Sequence, residues 1–147
     1  MAFRDTSDIE QLPVFYNVNQ AVGANSPNQK EDVMLVQFLL REIYKGGTAF
    51  EPAETVPKGD MKVDGICGPV TKNWLHKFQL DVRNRGGNIY ADNRADKVKG
   101  RISTISCTMY TLIFLNSGVK KVRPDFENLE SAPDVPNELR PAFRLGG

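Results

Sequence analysis

The stretch that decides the fold reads Asp64-Gly65-Ile66-Cys67-Gly68-Pro69-Val70-Thr71-Lys72-Asn73-Trp74-Leu75-His76-Lys77-Phe78-Gln79. Asp-Gly is typical of a tight turn, because glycine adopts the positive φ that such turns require. A glycine directly before a proline indicates a helix start, since proline at the first helical position gives up no needed hydrogen bond. We therefore predict a turn followed by a helix from Pro69 to about Arg85, ended by Gly86-Gly87-Asn88.

The apolar residues of this predicted helix recur at steps of four, one, three and four. That spacing gathers them on a single face, which is typical of a helix packed against a core. The predicted core face consists of Val70, Trp74, Leu75, Phe78 and Val82.

The composition indicates one globular domain with appended ends. The chain has 147 residues, of which 40% are hydrophobic and 25% are charged, values in the ordinary range for folded proteins. Nineteen basic and eighteen acidic residues leave a formal net charge of +1, which provides no long-range field for a polyanion. Nucleic acid is therefore not an expected partner.

Apolar segments and cysteines in the sequence indicate the cellular compartment of the protein. The first ten residues contain no apolar segment of the length that a signal peptide needs, and the longest apolar run, residues 112–115, is too short to cross a bilayer. We expect no membrane span and a protein that is cytoplasmic on synthesis. Two reduced, buried thiols at Cys67 and Cys107 are favoured over a disulfide.

Two further helices are predicted on either side of the central one. The first begins at Asn25-Ser26-Pro27-Asn28, carries a wide apolar face from Val33 to Tyr44 and stops at Gly46-Gly47. The third begins at Ser103-Thr104 and is closed by Asn116-Ser117-Gly118.

Extended segments are few and short in this sequence. Residues 14–18 predict an edge strand, and residues 61–63 could pair with residues 89–91 as a two-stranded ribbon. No internal repeat is convincing, although Asp92 to Gly100 followed by Ser103-Thr104 faintly echoes the segment from Asp64 to Thr71. The sequence thus predicts a small, mainly helical domain.

The two ends differ in character from the middle. We divide the chain into an N-terminal extension over residues 1–24, a domain over residues 25–118 and a proline-broken tail over residues 119–147. The tail repeats Phe and Leu among charges, so we expect it to lie along a surface, its own or a partner's.

Three submotifs in the middle resemble the peptidoglycan-binding domain found beside cell-wall hydrolases. The family pattern D-V-x-x-x-Q-x-x-L matches residues 32–40, D-G-x-F-G-x-x-T matches residues 64–71, and the closing F-Q matches Phe78-Gln79. The likeness covers roughly residues 25–118 and implies a small three-helix orthogonal bundle with a short β ribbon. The chain departs from the family at Cys67, where an aromatic is usual, in a longer loop from Gly46 to Asp60, and in a stretched, charged linker from Asn88 to Arg101.

Most motif residues have an architectural explanation. Asp64 and Thr71 suit a turn and a helix start, and the two glycines before Pro69 suit demanding backbone geometry. Trp74 and Phe78 suit a core better than a sugar platform. The structural motif is therefore assigned to Asp64, Gly65, Gly68, Pro69, Thr71, Trp74 and Phe78.

Four residues are candidates for contact with a ligand. The glutamines are either satisfied by groups across a helix contact or point into a groove, and the tyrosines either stack on an acetylated sugar or close the core. The candidate ligand-binding residues are Gln37, Tyr44, Gln79 and Tyr90, together with the loop after Gly46.

The sequence favours a protein that is not an enzyme. Its one histidine, His76, cannot form a multi-histidine metal site, so we expect no metal and no cofactor. Cys67 occupies an apolar position of the family pattern, which does not suit a nucleophile. A glycan hydrolase stays open because eighteen acidic residues always offer carboxylate pairs. It is the weakest hypothesis, because no helix-borne Glu sits in an evidently apolar setting that would raise its pKa.

The leading hypothesis is a module that recognises cell-wall glycan and peptide as a component of a phage particle or an injection or secretion machine. The alternative is that the same fold serves as a protein–protein interaction subunit of such an assembly, docking through its C-terminal tail. The tail's recurring Phe and Leu residues motivate this second hypothesis.

Overall fold

The computed structural model describes residues 2–7, 10–45, 55–89, 91–99 and 110–144. Within these ranges the protein is mainly helical and has two small antiparallel sheets of two strands each, as the sequence predicted at that level. The α-helices are α1 (Lys30–Tyr44), α2 (Pro69–Asn84) and α3 (Thr111–Val122); the 3₁₀ helices are η1 (Phe126–Ser131) and η2 (Asn137–Phe143); the strands are β1 (Phe3–Thr6), β2 (Val14–Asn17), β3 (Val22–Gly23) and β4 (Arg94–Ala95).

Helix α2 begins at the proline that the sequence indicated and ends one residue before the predicted end. The residues from its second turn onward that were assigned to the core, Trp74 to Val82, are buried as predicted. Val70 is the exception, because 37% of it is exposed. It lies in the first turn of the helix, where its methyl groups face Gly59 in an exposed loop rather than the core.

Helix α1 begins later than its predicted start signal. Asn25 and Asn28 both adopt a φ of 52°, which is left-handed backbone and cannot belong to a right-handed helix. In α1 the Asp32 carboxylate accepts the backbone amides of Asn19 and Gln20, each at 3.0 Å, and so anchors the preceding segment. The predicted stop at Gly46-Gly47 lies outside the described residues.

Helix α3 runs past its predicted end. The segment at residues 116–118 lies inside the helix, which continues to Val122. Tertiary contact explains this, because the Asn116 side chain donates to Leu112 O at 2.7 Å and also pairs with the backbone N–H and C=O of Tyr16. Its predicted start at Ser103-Thr104 lies outside the described residues, and the described helix begins at Thr111.

The strands pair differently from the prediction. Strand β2 is present as expected and pairs with β1 in the register Phe3↔Asn17, while β3 pairs with β4 in the register Val22↔Ala95. The predicted ribbon between residues 61–63 and 89–91 is wrong for its described part, which contains no strand. Met61 and Ile89 instead bury their side chains in the core from irregular backbone.

Both ends of the chain share one hydrophobic core with the helices. Tyr16 in β2 is fully buried, its hydroxyl donates to Phe126 O at 2.6 Å, and its ring packs edge-on against Phe143 with centroids 4.6 Å apart. Burial raises the pKa of this hydroxyl to about 12. The boundaries predicted near residues 24 and 119 therefore do not separate a finished core from appended segments.

Candidate functional site

Gln37 joins α1 to the turn that precedes α2. Its Nε2 lies 3.0 Å from each of three acceptors, Asp64 Oδ1, Ile66 O and Thr71 Oγ1. Its Oε1 accepts the backbone amides of Asp64 at 3.1 Å and Gly65 at 2.9 Å. Only 1% of Gln37 is exposed. A single buried amide thus ties helix, turn and next helix together.

The turn itself has the geometry that its sequence indicated. Gly65 adopts a φ of 78°, and Asp64 Oδ1 accepts the amide of Ile66 at 3.0 Å. That backbone amide, and then the Gln37 side chain, lower the pKa of the Asp64 carboxyl. Thr71 supplies its hydroxyl from the first turn of α2.

Gln79 makes a closely similar set of contacts from the second half of α2. Its Nε2 lies 3.1 Å from Asp92 Oδ1, 3.0 Å from Arg94 O and 3.0 Å from Thr111 Oγ1. Its Oε1 accepts the backbone amide of Asn93 at 2.8 Å, and Asp92 Oδ1 accepts the amide of Arg94 at 3.1 Å. The side chain is fully buried.

We call these two sets of contacts the first and second turn units; they differ in that Gln37 Oε1 accepts two backbone amides and Gln79 Oε1 accepts one. In each unit the residue after the aspartate has a positive φ, 78° at Gly65 and 62° at Asn93, and a threonine near the start of the following helix closes the network. The structure therefore contains an internal repeat, helix–turn–helix twice, with α2 shared. The sequence-based prediction of no convincing repeat was wrong.

Spacing explains why the sequence hid this repeat. Glutamine and threonine are 34 residues apart in the first unit and 32 in the second, yet the aspartate follows the glutamine by 27 residues in one and 13 in the other. No fixed offset aligns all three positions. The sequence comparison matched Ser103-Thr104 with Thr71. In the structure the residue that corresponds to Thr71 is Thr111, seven positions after Thr104.

The candidate ligand residues that the structure describes have partners within the protein. Gln37 and Gln79 direct their amides into the turn units. The Tyr44 hydroxyl donates to Asp81 Oδ2 at 2.6 Å, and its ring meets Trp74 edge-on with centroids 5.7 Å apart. Tyr90 and residues 46–54 lie outside the described residues. A ligand role for these four side chains stays a prediction.

One motif glycine has no conformational reason to be glycine. Gly68 is the N-cap of α2 with an ordinary φ of −95°, and a Cβ built on it meets nothing within 4 Å. A Cβ on Gly65, in contrast, would lie 2.5 Å from Lys30 Cγ and 3.1 Å from Lys30 O. The backbone requirement predicted for both glycines holds at Gly65 and not at Gly68.

The side chains that the sequence singled out as reactive are the two cysteines and the histidine. Cys67 is a free, half-buried thiol whose pKa is raised by burial, and His76 is exposed on α2. Cys107 lies outside the described residues. Over the described ranges, no group of three or more His, Cys, Asp or Glu side chains could hold a metal ion. None of the described helices is long and apolar enough to span a membrane.

A cleft of about 470 Å³ lies beside the second turn unit. One wall comes from the segment before α1 and the other from β4 and the residues that follow it. Sequence reasoning noted the stretched, charged linker from Asn88 to Arg101 as a departure from the family but did not predict a cleft there. We call it the cationic cleft, and its charged, polar and aromatic lining residues are Asn19, Gln20, Arg94, Asp96, Lys97, Lys99 and Tyr110.

Comparison with known proteins gave no match: no protein-family model, no curated protein and no solved structure is significantly similar to this chain.

Proposed function

We propose that this chain is a non-catalytic binding module for cell-wall peptidoglycan that works within a larger assembly, such as a phage particle or an injection or secretion machine. The proposal rests on the resemblance of residues 25–118 to peptidoglycan-binding domains. The observation that carries it is the first turn unit, in which Gln37 of one submotif bonds to both Asp64 and Thr71 of another. Motif residues that meet in space support a shared fold better than a chance match of letters does.

The proposed fold retains the three-helix orthogonal bundle and its short ribbon, with the ribbon now placed at β3 and β4. The two turn units support this arrangement because each joins two successive helices through one buried amide. Since Gln37 and Gln79 serve the bundle itself, we place ligand contact on the segments where the chain departs from the family pattern, after Gly46 and from Asn88 to Arg101. Loops held by a rigid scaffold are the usual location of binding specificity.

The non-catalytic part of the proposal is supported by the state of the reactive groups. The raised pKa of Cys67 lowers the fraction of this side chain that is thiolate, and the thiolate is the nucleophilic form of cysteine. His76 points into solvent from α2 and has no described role with that thiol. A binding module needs neither group.

Co-sedimentation with purified sacculi tests the proposal. We expect the folded protein to pellet with the sacculi at modest salt and to release no soluble wall fragments. Circular dichroism of the unbound fraction shows that the protein was folded. Folded protein that stays in the supernatant at modest salt contradicts wall binding, and release of soluble fragments contradicts the non-catalytic assignment.

The alternative is a protein–protein interaction subunit that docks through its tail. The recurring Phe and Leu residues that motivated it are not available for docking where the structure describes them. The Phe and Leu side chains of the described tail are at most 2% exposed and lie in the chain's own core. Any docking through this tail would depend on its exposed charges instead. Removal of residues 122–147 would take buried side chains out of the core and destabilise the protein. Tail docking is therefore better tested by replacing exposed Asp and Glu residues of the tail with Asn and Gln. The Phe and Leu residues of the described tail are Phe126, Leu129, Leu139 and Phe143.

A further inference from the structure

The cationic cleft carries an excess of positive charge on a chain that is close to neutral. Arg94, Lys97 and Lys99 face a single carboxylate among its lining residues, that of Asp96. Arg94 Nη2 lies 3.1 Å from Asp96 Oδ1, an exposed ion pair that contributes little. The two lysines have no carboxylate partner among the described residues. A local excess of cations in a concave site raises the concentration of anions near it.

Arg94 presents a hydrogen-bond donor that the described part of the protein leaves unused. Its Nε is buried and has no hydrogen-bond partner among the described residues. Buried donors without a partner are rare in native structures and call for an explanation such as an unseen acceptor. Arg94 also lines the cleft with a side chain that is 40% exposed, and arginine binds carboxylate and phosphate oxygens through paired donors.

The backbone that carries Arg94 is held in place by the second turn unit. Its N–H donates to Asp92 Oδ1 at 3.1 Å and its carbonyl accepts Gln79 Nε2 at 3.0 Å. Antiparallel pairing of β4 with β3 adds a second constraint. The guanidinium therefore starts from a fixed backbone, which lowers the entropy that binding must overcome.

The opposite wall and the floor supply neutral polar and aromatic groups. The backbone amides of Asn19 and Gln20 are held by the Asp32 carboxylate, so their exposed side chains project from an anchored segment. Lys97 Nζ lies 5.5 Å from the centroid of the Phe3 ring, a cation–π contact that orients the amine. Tyr110 is half-buried and adds an aromatic surface beside the cations.

We propose that the cationic cleft is a binding site for a ligand that carries anionic oxygens, either carboxylate or phosphate. Its volume of about 470 Å³ suits a small molecule or one unit of a polymer. This inference goes beyond the proposed function, because it concerns the charge of the ligand and holds whether or not the ligand belongs to the cell wall. Gln37 and Gln79, the polar candidates from the sequence, take no part in it.

Titration of the ¹⁵N-labelled full chain followed by NMR tests the site directly. The probes are inorganic pyrophosphate for phosphate, glutarate for carboxylate and N-acetylglucosamine as a neutral sugar, each raised to about 10 mM, ten times the dissociation constant of a weak millimolar site. We expect at least one anion to shift the amide signals of residues 19–21 and 94–99, the neutral sugar to shift them much less, and added salt to weaken the effect. Whichever anion binds identifies the source of the anionic oxygen.

A matched pair of double variants assigns the binding to the cleft. Lys97→Gln with Lys99→Gln should weaken anion binding about tenfold, since each exposed ion pair contributes up to about a factor of five. The control, Lys72→Gln with Lys121→Gln, removes the same charge from exposed positions that do not line the cleft and should leave binding unchanged.

Two results would overturn the inference. The first is that neither anion shifts the signals of folded wild-type protein, a result that needs no variant. The second is that both double variants bind equally well. The sacculus test and the anion test are independent of each other. If the protein binds pyrophosphate but not sacculi, the proposed function is overturned and the inference about the cleft stands.

Discussion

Gln79 shows how one side chain can decide a junction between three segments. A buried amide offers both donors and an acceptor, and here its donor nitrogen faces a carboxylate, a carbonyl and a hydroxyl while its oxygen faces a backbone N–H. Glutamate has the same shape but offers only acceptors when it is ionised. The identity of the amide therefore matters more than its size.

Replacement of Gln79 by glutamate tests this residue-scale argument. Gln79→Glu should lower the free energy of unfolding by about 2–4 kcal/mol at neutral pH, because a buried carboxylate would face the Asp92 carboxylate and the Arg94 carbonyl without donating to either. Urea denaturation measures the loss. Gln11→Glu makes the same change at an exposed position and should cost less than about 0.5 kcal/mol. Equal stability of the two variants would show that the second turn unit contributes nothing.

At the scale of elements, each turn unit contains one residue with left-handed backbone, directly after its aspartate. In the first turn unit that residue is Gly65, where a positive φ and the approach of Lys30 both exclude a side chain. In the second unit Asn93 takes the same backbone region, which asparagine tolerates better than most residues. The helix start at Gly68 carries no such demand.

The two glycines of the first turn unit form a natural matched pair. Gly65→Ala should lower the free energy of unfolding by about 1–3 kcal/mol, from left-handed strain and from contact with Lys30. Gly68→Ser should change it by less than about 0.5 kcal/mol, since serine is a favoured N-cap residue. Thermal or urea unfolding of both variants decides the matter. A large loss in Gly68→Ser would mean that its Cβ is not free of contacts.

At the scale of the whole molecule, Arg123 connects the helices to the tail. From the C-cap of α3 its guanidinium bonds Glu42 of α1 at 2.8 Å, Asp125 at 2.8 and 2.9 Å, and Asp134 at 2.8 and 3.0 Å. It also lies 5.6 Å from the centroid of the Phe38 ring. Only 12% of the Arg123 side chain is exposed. One cation thus binds a carboxylate of α1, 81 residues earlier, and two carboxylates of the tail.

This arrangement predicts an acid-dependent contribution to stability. Arg123 lowers the pKa of the Asp125 and Asp134 carboxyls below the ordinary value of 3.8, so the stability they contribute is complete above about pH 5 and is lost as pH falls through their folded values. Arg123→Gln should lower the free energy of unfolding by about 1–3 kcal/mol at pH 7, because Glu42 is 5% exposed and loses a charged partner. The difference from wild type should shrink between about pH 5 and about pH 3.

Urea denaturation at a series of pH values measures this difference. Arg144→Gln breaks an exposed ion pair with Glu130 and serves as the control, with a small effect at every pH. A difference for Arg123→Gln that stays constant down to pH 3 would show that the carboxylates do not depend on this cation.

The sequence by itself determined the local part of this structure. The start of α2 at Pro69, its core face from Trp74 onward and the turn at Gly65 follow from backbone chemistry and helical spacing, which act within a few residues. The presence of β2 was predicted for the same reason. Residue-level patterns also limited Gln37 and Gln79 to two roles, internal bonding or ligand contact, without choosing between them.

The tertiary structure decided everything that depends on partners far along the chain. It assigned Gln37 and Gln79 to the two turn units, carried α3 past Asn116 through bonds to Tyr16, and drew both ends of the chain into one core. It also brought Arg94 and two lysines to one cleft opposite a segment that lies some 75 residues earlier. The physical reason is that hydrogen bonds, burial and charge act through space, whereas spacing in the sequence reports only which residues share a local face.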